Sequence, residues 1–168
     1  MASMTQMTVN VTGWMYEMII EFHKLLGSDE QRLGDLPTNQ FADDSLEAVA
    51  QSLARESRYM YQQYEAVGFT DKRLLRAHLM LEELGESLQG LSERDEVKTL
   101  DGLADLAYTV IGTGVQHDLP VEHAFTEVHR SNMTKRPTTG SNNRCLDKGE
   151  GWSPPNIQQV IEFWRTRV

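Results

Sequence analysis

LMLEELGESLQGLSERDEVKTLDGLAD, residues 79–105, carries two helical patterns joined by a short polar break. Leu81, Leu84, Leu88 and Leu91 step by three and four, and Leu74 and Ala77 extend the row backwards, the repeat of a helix that buries one stripe. Thr70 or Asp71 can cap that helix, which should run to about Leu91. After SERDEV a second pattern, from about Glu96 to His117, presents Leu100, Leu103, Leu106, Ala107, Val110, Ile111 and Gly114. So short a connection makes the two helices antiparallel neighbours.

Acids flank both stripes. Glu82, Glu83 and Glu86 lie three and four residues apart on the first helix, and Asp101 and Asp105 four apart on the second. Five carboxylates gathered on one facing surface are costly unless a cation sits among them. Between residues 79 and 97 the only basic residue is Arg94, so lysine interleaving does not neutralise the row. Spacing alone leaves two readings open, a solvated acidic face and a metal site. For a metal site, oxygen ligands point to Mg²⁺ or Mn²⁺ rather than zinc. A di-iron bundle needs Glu-x-x-His pairs, and the residues three before the five histidines are Ile20, Leu75, Gly114, Pro120 and Thr126, so none exists.

Outside this stretch the chain continues as helices. One spans about Gly13 to Leu26, with Trp14, Met15, Met18, Ile19, Phe22 and Leu25 at helical spacing and Gly27 as its stop. His23 reads as a surface residue of its last turn. Residues 1–12 are polar and aperiodic and are expected to fray; residues 28–42 read as a loop. A helix follows from about Asp43 to Val67, its apolar stripe supplied by Leu46, Val49, Ala50, Leu53, Met60, Tyr61 and Tyr64. Pro120 fits the first turn of another, from about Leu119 to Met133, and Pro155 can open a last one carrying Ile157, Val160, Ile161 and Trp164. Thr134 to Pro155 is rich in Gly, Pro, Ser and Asn, and too long for an idle connector, so it reads as mobile or functional. No stretch reads as a strand. The class is all-α, an antiparallel helical bundle, in a single domain of 168 residues.

Composition narrows the function. With 25 acidic residues against 16 basic and a formal charge of −9, a broad basic surface for long nucleic acid is excluded. No window approaches transmembrane length, so no membrane role is expected. The single cysteine, Cys145, allows no disulfide framework within the chain, and a reducing cytoplasm is the expected compartment. Local cations could still meet an anionic ligand. EVHRSNMTK, residues 127–135, offers His129, Arg130, Asn132 and Lys135 at a helix end, although alone it reads as a polar terminus. Arg73 and Arg76, one turn apart, read as surface residues.

Taken together, these motifs resemble the MazG-type all-α nucleoside triphosphate pyrophosphohydrolases. That family carries EExxE on one helix and a second acidic motif, usually ExxD, on the next. Glu82-Glu83-Leu84-Gly85-Glu86 matches the first completely, and Asp105 matches the aspartate of the second. DGLADLAYTVIGTG, EVHRSNMTK, KGEGWSPPNI and the opening EFHKLLG, in this order around the acids, are similar to a phage and bacterial subgroup. The departure is Gly102, which stands where the glutamate of ExxD is expected; Asp101, one position earlier, is expected to take its role.

The resemblance implies a metal-dependent enzyme that cleaves a nucleoside triphosphate between the α and β phosphates, releasing monophosphate and pyrophosphate. Glu83, Glu86, Asp101 and Asp105 would be metal ligands, for Mg²⁺ or substituting Mn²⁺, and Glu82 a ligand or the residue that orients the attacking water. His129, Arg130, Asn132 and Lys135 would contact phosphates or sugar, and Lys148 and Trp152 lie in a loop expected to close over the nucleotide. Members of the family are dimers or tetramers, so a homodimer or homotetramer is expected. The methionine-rich, compact chain is similar to phage enzymes of the MazZ type, which hydrolyse dGTP or GTP in the host cytoplasm. Two other classes stay in view, a non-catalytic nucleotide or metal sensor and a helical interaction module.

Overall fold

The computed structural model describes residues 13–26, 32–137 and 146–167. The expected fraying of residues 1–12 and the cysteine at 145 lie outside the described residues. Among those described, the order is α1 (Trp14–Leu26), a 3-10 turn (Leu33–Asp35), α2 (Gln40–Ala66), α3 (Lys72–Glu93), α4 (Glu96–Gln116), α5 (Val121–Met133) and α6 (Ile157–Arg165). Arg136–Pro137 and Leu146–Asp147 form a two-residue antiparallel pair, too short to alter the class. The fold is all-α.

Caps explain the boundaries. α2 opens three residues earlier than expected because Asn39 Oδ1 accepts the Ala42 amide at 3.2 Å. Asp71 caps α3 through the Arg73 amide, and Asp95 caps α4 through the amides of Val97 and Lys98. Arg94, left-handed at φ 54°, and Asp95 are all that separate α3 from α4. Pro120, expected in the first turn of α5, stands at its N-cap position instead.

The helices fall into two compact units, one built on α2, α3 and α4 and one on α1, α5 and α6. In the first, α3 runs antiparallel to both its neighbours. Its closest approach to α4 is made by smaller residues than the expected leucine seam. Ser87 and Gly90 on α3 and Thr99, Gly102, Thr109 and Gly114 on α4 are buried, and Gly85 is buried against Ala50 and Leu53 of α2; of the expected stripes Leu84, Leu100 and Leu103 are exposed, while Leu74, Leu81, Leu88, Leu91 and Leu106 are half-buried. A Cβ built on Gly90 would lie 2.5 Å from the Thr99 nitrogen, and one on Gly102 would lie 2.6 Å from the Ser87 nitrogen. The helices therefore touch backbone to backbone at these two points, which only small residues allow, and the leucines stand beside the contact rather than in it. On α2, Ala50 and Tyr64 are buried, but Val49 and Tyr61, expected in the stripe, are exposed.

In the second unit, Trp14 of α1 meets Phe125 of α5 edge-on at 6.0 Å, and His123 of α5 packs on Phe163 and Trp164 of α6. His23 is exposed in the last turn of α1, as its position suggested.

Candidate functional site

The glycine contacts place the acids. Ser87 lies against Gly102 at one level, and Arg76 lies against Thr109, Gly112 and Thr113 further along. Glu83 and Asp105 fall between these two fixed levels. Arg76 is no surface residue: its guanidinium donates to the Thr109 carbonyl at 2.7 Å and to Thr113 Oγ1 at 3.1 Å, tying α3 to α4. It can do so because Gly112 has no side chain in its path. Arg73, by contrast, is exposed and holds Asp71.

Burial pushes the Glu83 carboxyl above its ordinary value, and the charges of Glu86, Asp105, Glu82 and Asp101 push it further, in that order. Four acids thus bear on the fifth. Glu83, Glu86, Asp101 and Asp105 form no ion pair or hydrogen bond among the described residues. Arg94 does not relieve them, because it donates to both oxygens of Asp43 on α2, at 2.9 and 2.7 Å. Hard, unneutralised oxygen donors of this kind fit a divalent cation such as Mg²⁺. Among the described residues, no three His, Cys, Asp or Glu side chains lie close enough together to hold a metal ion as they stand.

The acids serve two sides of α3. Glu82 and Glu86 line a cleft of about 300 Å³ against α2, together with Glu47, Gln51, Ser57, Arg58, His78 and Gln89. Glu83, Asp101 and Asp105 are not part of its wall. Gly102 also acquires a physical reason here. A glutamate at that position would drive its Cβ into the Ser87 backbone, so the acid of the second helix has to stand at a neighbouring position, and Asp101 is exposed there.

The remaining sequence candidates belong to the other unit. His129 Nε2 lies 3.3 Å from Glu21 of α1. Arg130 donates to both oxygens of Glu127, to Ser153 Oγ at 3.2 Å and to the Pro154 carbonyl at 3.1 Å, so it fastens the segment before α6 to α5. Glu127 also accepts the Asn156 amide, and these bonds, Arg130 first, hold its carboxyl down at about 2. Lys148 Nζ stands 4.5 Å from the Trp152 ring centre, and the indole N–H is buried with no hydrogen-bond partner among the described residues. Asn132 and Lys135 are half-buried at and just past the end of α5.

The phosphoribosyl-ATP pyrophosphohydrolase family model matches residues 46–132, just over half of the 168. The chain belongs to that family. The family is itself part of the MazG-like all-α pyrophosphohydrolase superfamily, so the resemblance holds at that level. Membership makes the chain a pyrophosphohydrolase by class. No curated protein and no solved structure matches it. The matched segment runs from within α2 to the last turn of α5 and contains all five acids.

Two residues of this pyrophosphohydrolase escaped the sequence reading. His78 bonds buried Ser57 and faces Glu82. The offset of four between His78 and Glu82 was visible in the sequence; the partnership with Ser57, twenty-one residues away, exists only once α2 packs on α3.

Proposed function

We propose that the chain is a metal-dependent nucleoside triphosphate pyrophosphohydrolase, adding water across the α–β anhydride to give monophosphate and pyrophosphate. The observation that carries this reading is Glu83 on α3 and Asp105 on α4 beside the Gly102–Ser87 contact, near Glu82, Glu86 and Asp101, with no cation paired to Glu83 among the described residues. Glu83, Glu86, Asp101 and Asp105 would hold Mg²⁺ or Mn²⁺. Bound there, the metal would offset phosphate charge and lower the pKa of water. Glu82, on the cleft wall, orients the attacking water and accepts its proton. Lys135, Lys148, His129 and Asn132 are the candidates for phosphate and sugar contacts, with Trp152 as a platform. Arg130 serves more as the staple of its segment. The preferred substrate is a purine nucleotide, dGTP or GTP, as in the phage MazZ type.

Assembly is part of the proposal. Val97, Leu100, Tyr108 and Val115 on α4 are 79%, 70%, 80% and 79% exposed. Apolar residues recurring along one helix at such exposure favour a homodimer or homotetramer. Leu100→Asp should then leave the helices intact and shift the mass measured by light scattering to that of a single chain.

A nucleotide panel tests the chemistry. Purified protein with Mg²⁺ is given each NTP and dNTP, and phosphoribosyl-ATP, whose name the family carries, and products are separated by ion exchange. The proposal expects monophosphate and pyrophosphate, fastest from dGTP or GTP. Phosphate plus a diphosphate, or tight binding with no product, would overturn it.

A further inference from the structure

The cleft between α2 and α3 holds one arginine that its surroundings leave unengaged. From α2 to α4, Lys72 donates to Tyr64, Arg73 to Asp71, Arg76 to the Thr109 carbonyl, Arg94 to Asp43 and Lys98 to Glu93. Arg55 and Arg58 are the lysines and arginines left over, and of the two only Arg58 stands on the cleft wall with Glu82 and Glu86. Glu47 shares that wall as well. Arg58 nevertheless forms no ion pair or hydrogen bond among the described residues, and it is exposed.

Its neighbours fix its level. Ser57 Oγ lies 2.7 Å from His78 Nδ1, so Arg58 enters the cleft at the height of His78. Farther along, Ala50 and Leu53 lie against Gly85, beside Glu86. From His78 to Glu82 and from Glu82 to Glu86 are two steps of four residues, each about 6 Å along α3. Arg58 also borders a second hollow of about 360 Å³, with Tyr61, Gln62 and His78. Arg58 and His78 are common to both hollows, so the groove continues past the acids and the guanidinium stands where it leaves them.

A metal held by the acids would offset charge around the scissile bond, and the phosphate farthest from the nucleoside would extend beyond it. The carboxylates of the wall repel that phosphate unless a cation receives it. A guanidinium presents paired N–H donors that match two phosphate oxygens, and this one breaks no existing bond to do so.

We propose that Arg58 binds the terminal phosphate of the substrate, and so the pyrophosphate half of the products. The inference rests on the hydrolase reading above and adds a direction to it: the triphosphate runs from the acids towards His78, with the nucleoside at the other end.

The test uses the full chain at a fixed free Mg²⁺ concentration with the best triphosphate of the panel, comparing the parent with Arg58→Ala, Arg58→Lys and Arg55→Ala. Arg55 removes the same charge one turn away and lines neither hollow, so Arg55→Ala should behave as the parent. Arg58→Ala should raise KM and weaken competitive inhibition by pyrophosphate, each by about tenfold or more, the worth of a hydrogen bond between charged groups. Inhibition by the nucleoside monophosphate should not change, and Arg58→Lys should fall between. Titration calorimetry of pyrophosphate with Mg²⁺ should show the same loss of affinity without turnover. Equal pyrophosphate affinity in the parent and Arg58→Ala, an equal loss in Arg55→Ala, or weakened inhibition by the monophosphate instead would overturn the assignment and leave the hydrolase reading standing. No turnover by the parent on any nucleotide would overturn the hydrolase reading, and calorimetry would still decide whether Arg58 binds pyrophosphate.

Discussion

Replacing Gly102 by alanine should destabilise the protein even though alanine is the better helix former. The added Cβ would lie 2.6 Å from the Ser87 nitrogen, 2.8 Å from its Cα and 3.0 Å from its Cβ, where ordinary contact begins at 3.4 Å. Two of those atoms are backbone, so no side-chain rotation relieves the clash and α3 and α4 must part. Overpacking of this kind costs about 1–3 kcal/mol, with rigid backbone on both sides favouring the upper end, against a gain of ~1 kcal/mol in helix propensity. A net loss of about 2 kcal/mol corresponds to a melting temperature lower by about 4–8 °C for a chain of this length. Gly112→Ala is the control, because its nearest neighbour is the end of the Arg76 side chain at 2.7 Å, which can swing at the cost of its bond to Thr109. Thermal melts followed by circular dichroism read both. Parting the helices also withdraws Asp101 and Asp105 from Glu83, so Gly102→Ala should need more Mn²⁺ for half-maximal stabilisation. A Gly102→Ala protein as stable as the parent, with the same Mn²⁺ requirement, would refute the backbone contact and the role given to it.

Three further outcomes follow from the charges and the caps. The Glu83 carboxyl is raised in the folded state, so its contribution to stability is full below the ordinary value of 4.5 and is lost as pH rises through the raised value. Glu83→Gln should therefore be the more stable protein at neutral pH without metal, its advantage vanishing towards pH 4 in a series of melts, and Mg²⁺ should narrow the gap by stabilising the parent. Glu127 is held down at about 2, so its contribution is present above 4.5 and fades as pH falls towards 2; Glu127→Gln should melt lower than the parent at pH 7, by a margin that shrinks on acidification. Asp95→Ala removes the acceptor for two amides at the start of α4 and should cost about 1 kcal/mol, read by urea unfolding.

Much of this was legible in the residues because periodicity and caps are local. The helices α3 and α4, their turn, and the five acids could be read from a few residues of spacing each. What could not be read is which of two chemically opposite rows would face inward. Leucine and glycine rows both recur at helical intervals on α3 and α4, and the hydrophobic rule chooses the leucines. At their closest approach the helices chose the glycines, because Gly90 and Gly102 meet Thr99 and Ser87 at a distance no leucine permits, while Leu81, Leu88 and Leu91 stay half-buried beside them. Arg94 could be recognised as the one cation near the acids, but its pairing with Asp43 fifty-one residues earlier is a property of the packed helices. His78 was hidden for the same reason: only α2 brings Ser57 and Tyr61 to it.

Pyrophosphate release by the parent and by Glu86→Gln, each with Mg²⁺ and again with a chelator, tests most directly whether the acids act as a metal-dependent hydrolytic centre. The expected result is pyrophosphate and monophosphate in equal amounts from the parent with Mg²⁺ only, and none from a Glu86→Gln protein that melts as a folded chain. Pyrophosphate formed by Glu86→Gln at the parental rate, or by the parent in the chelator, would contradict it.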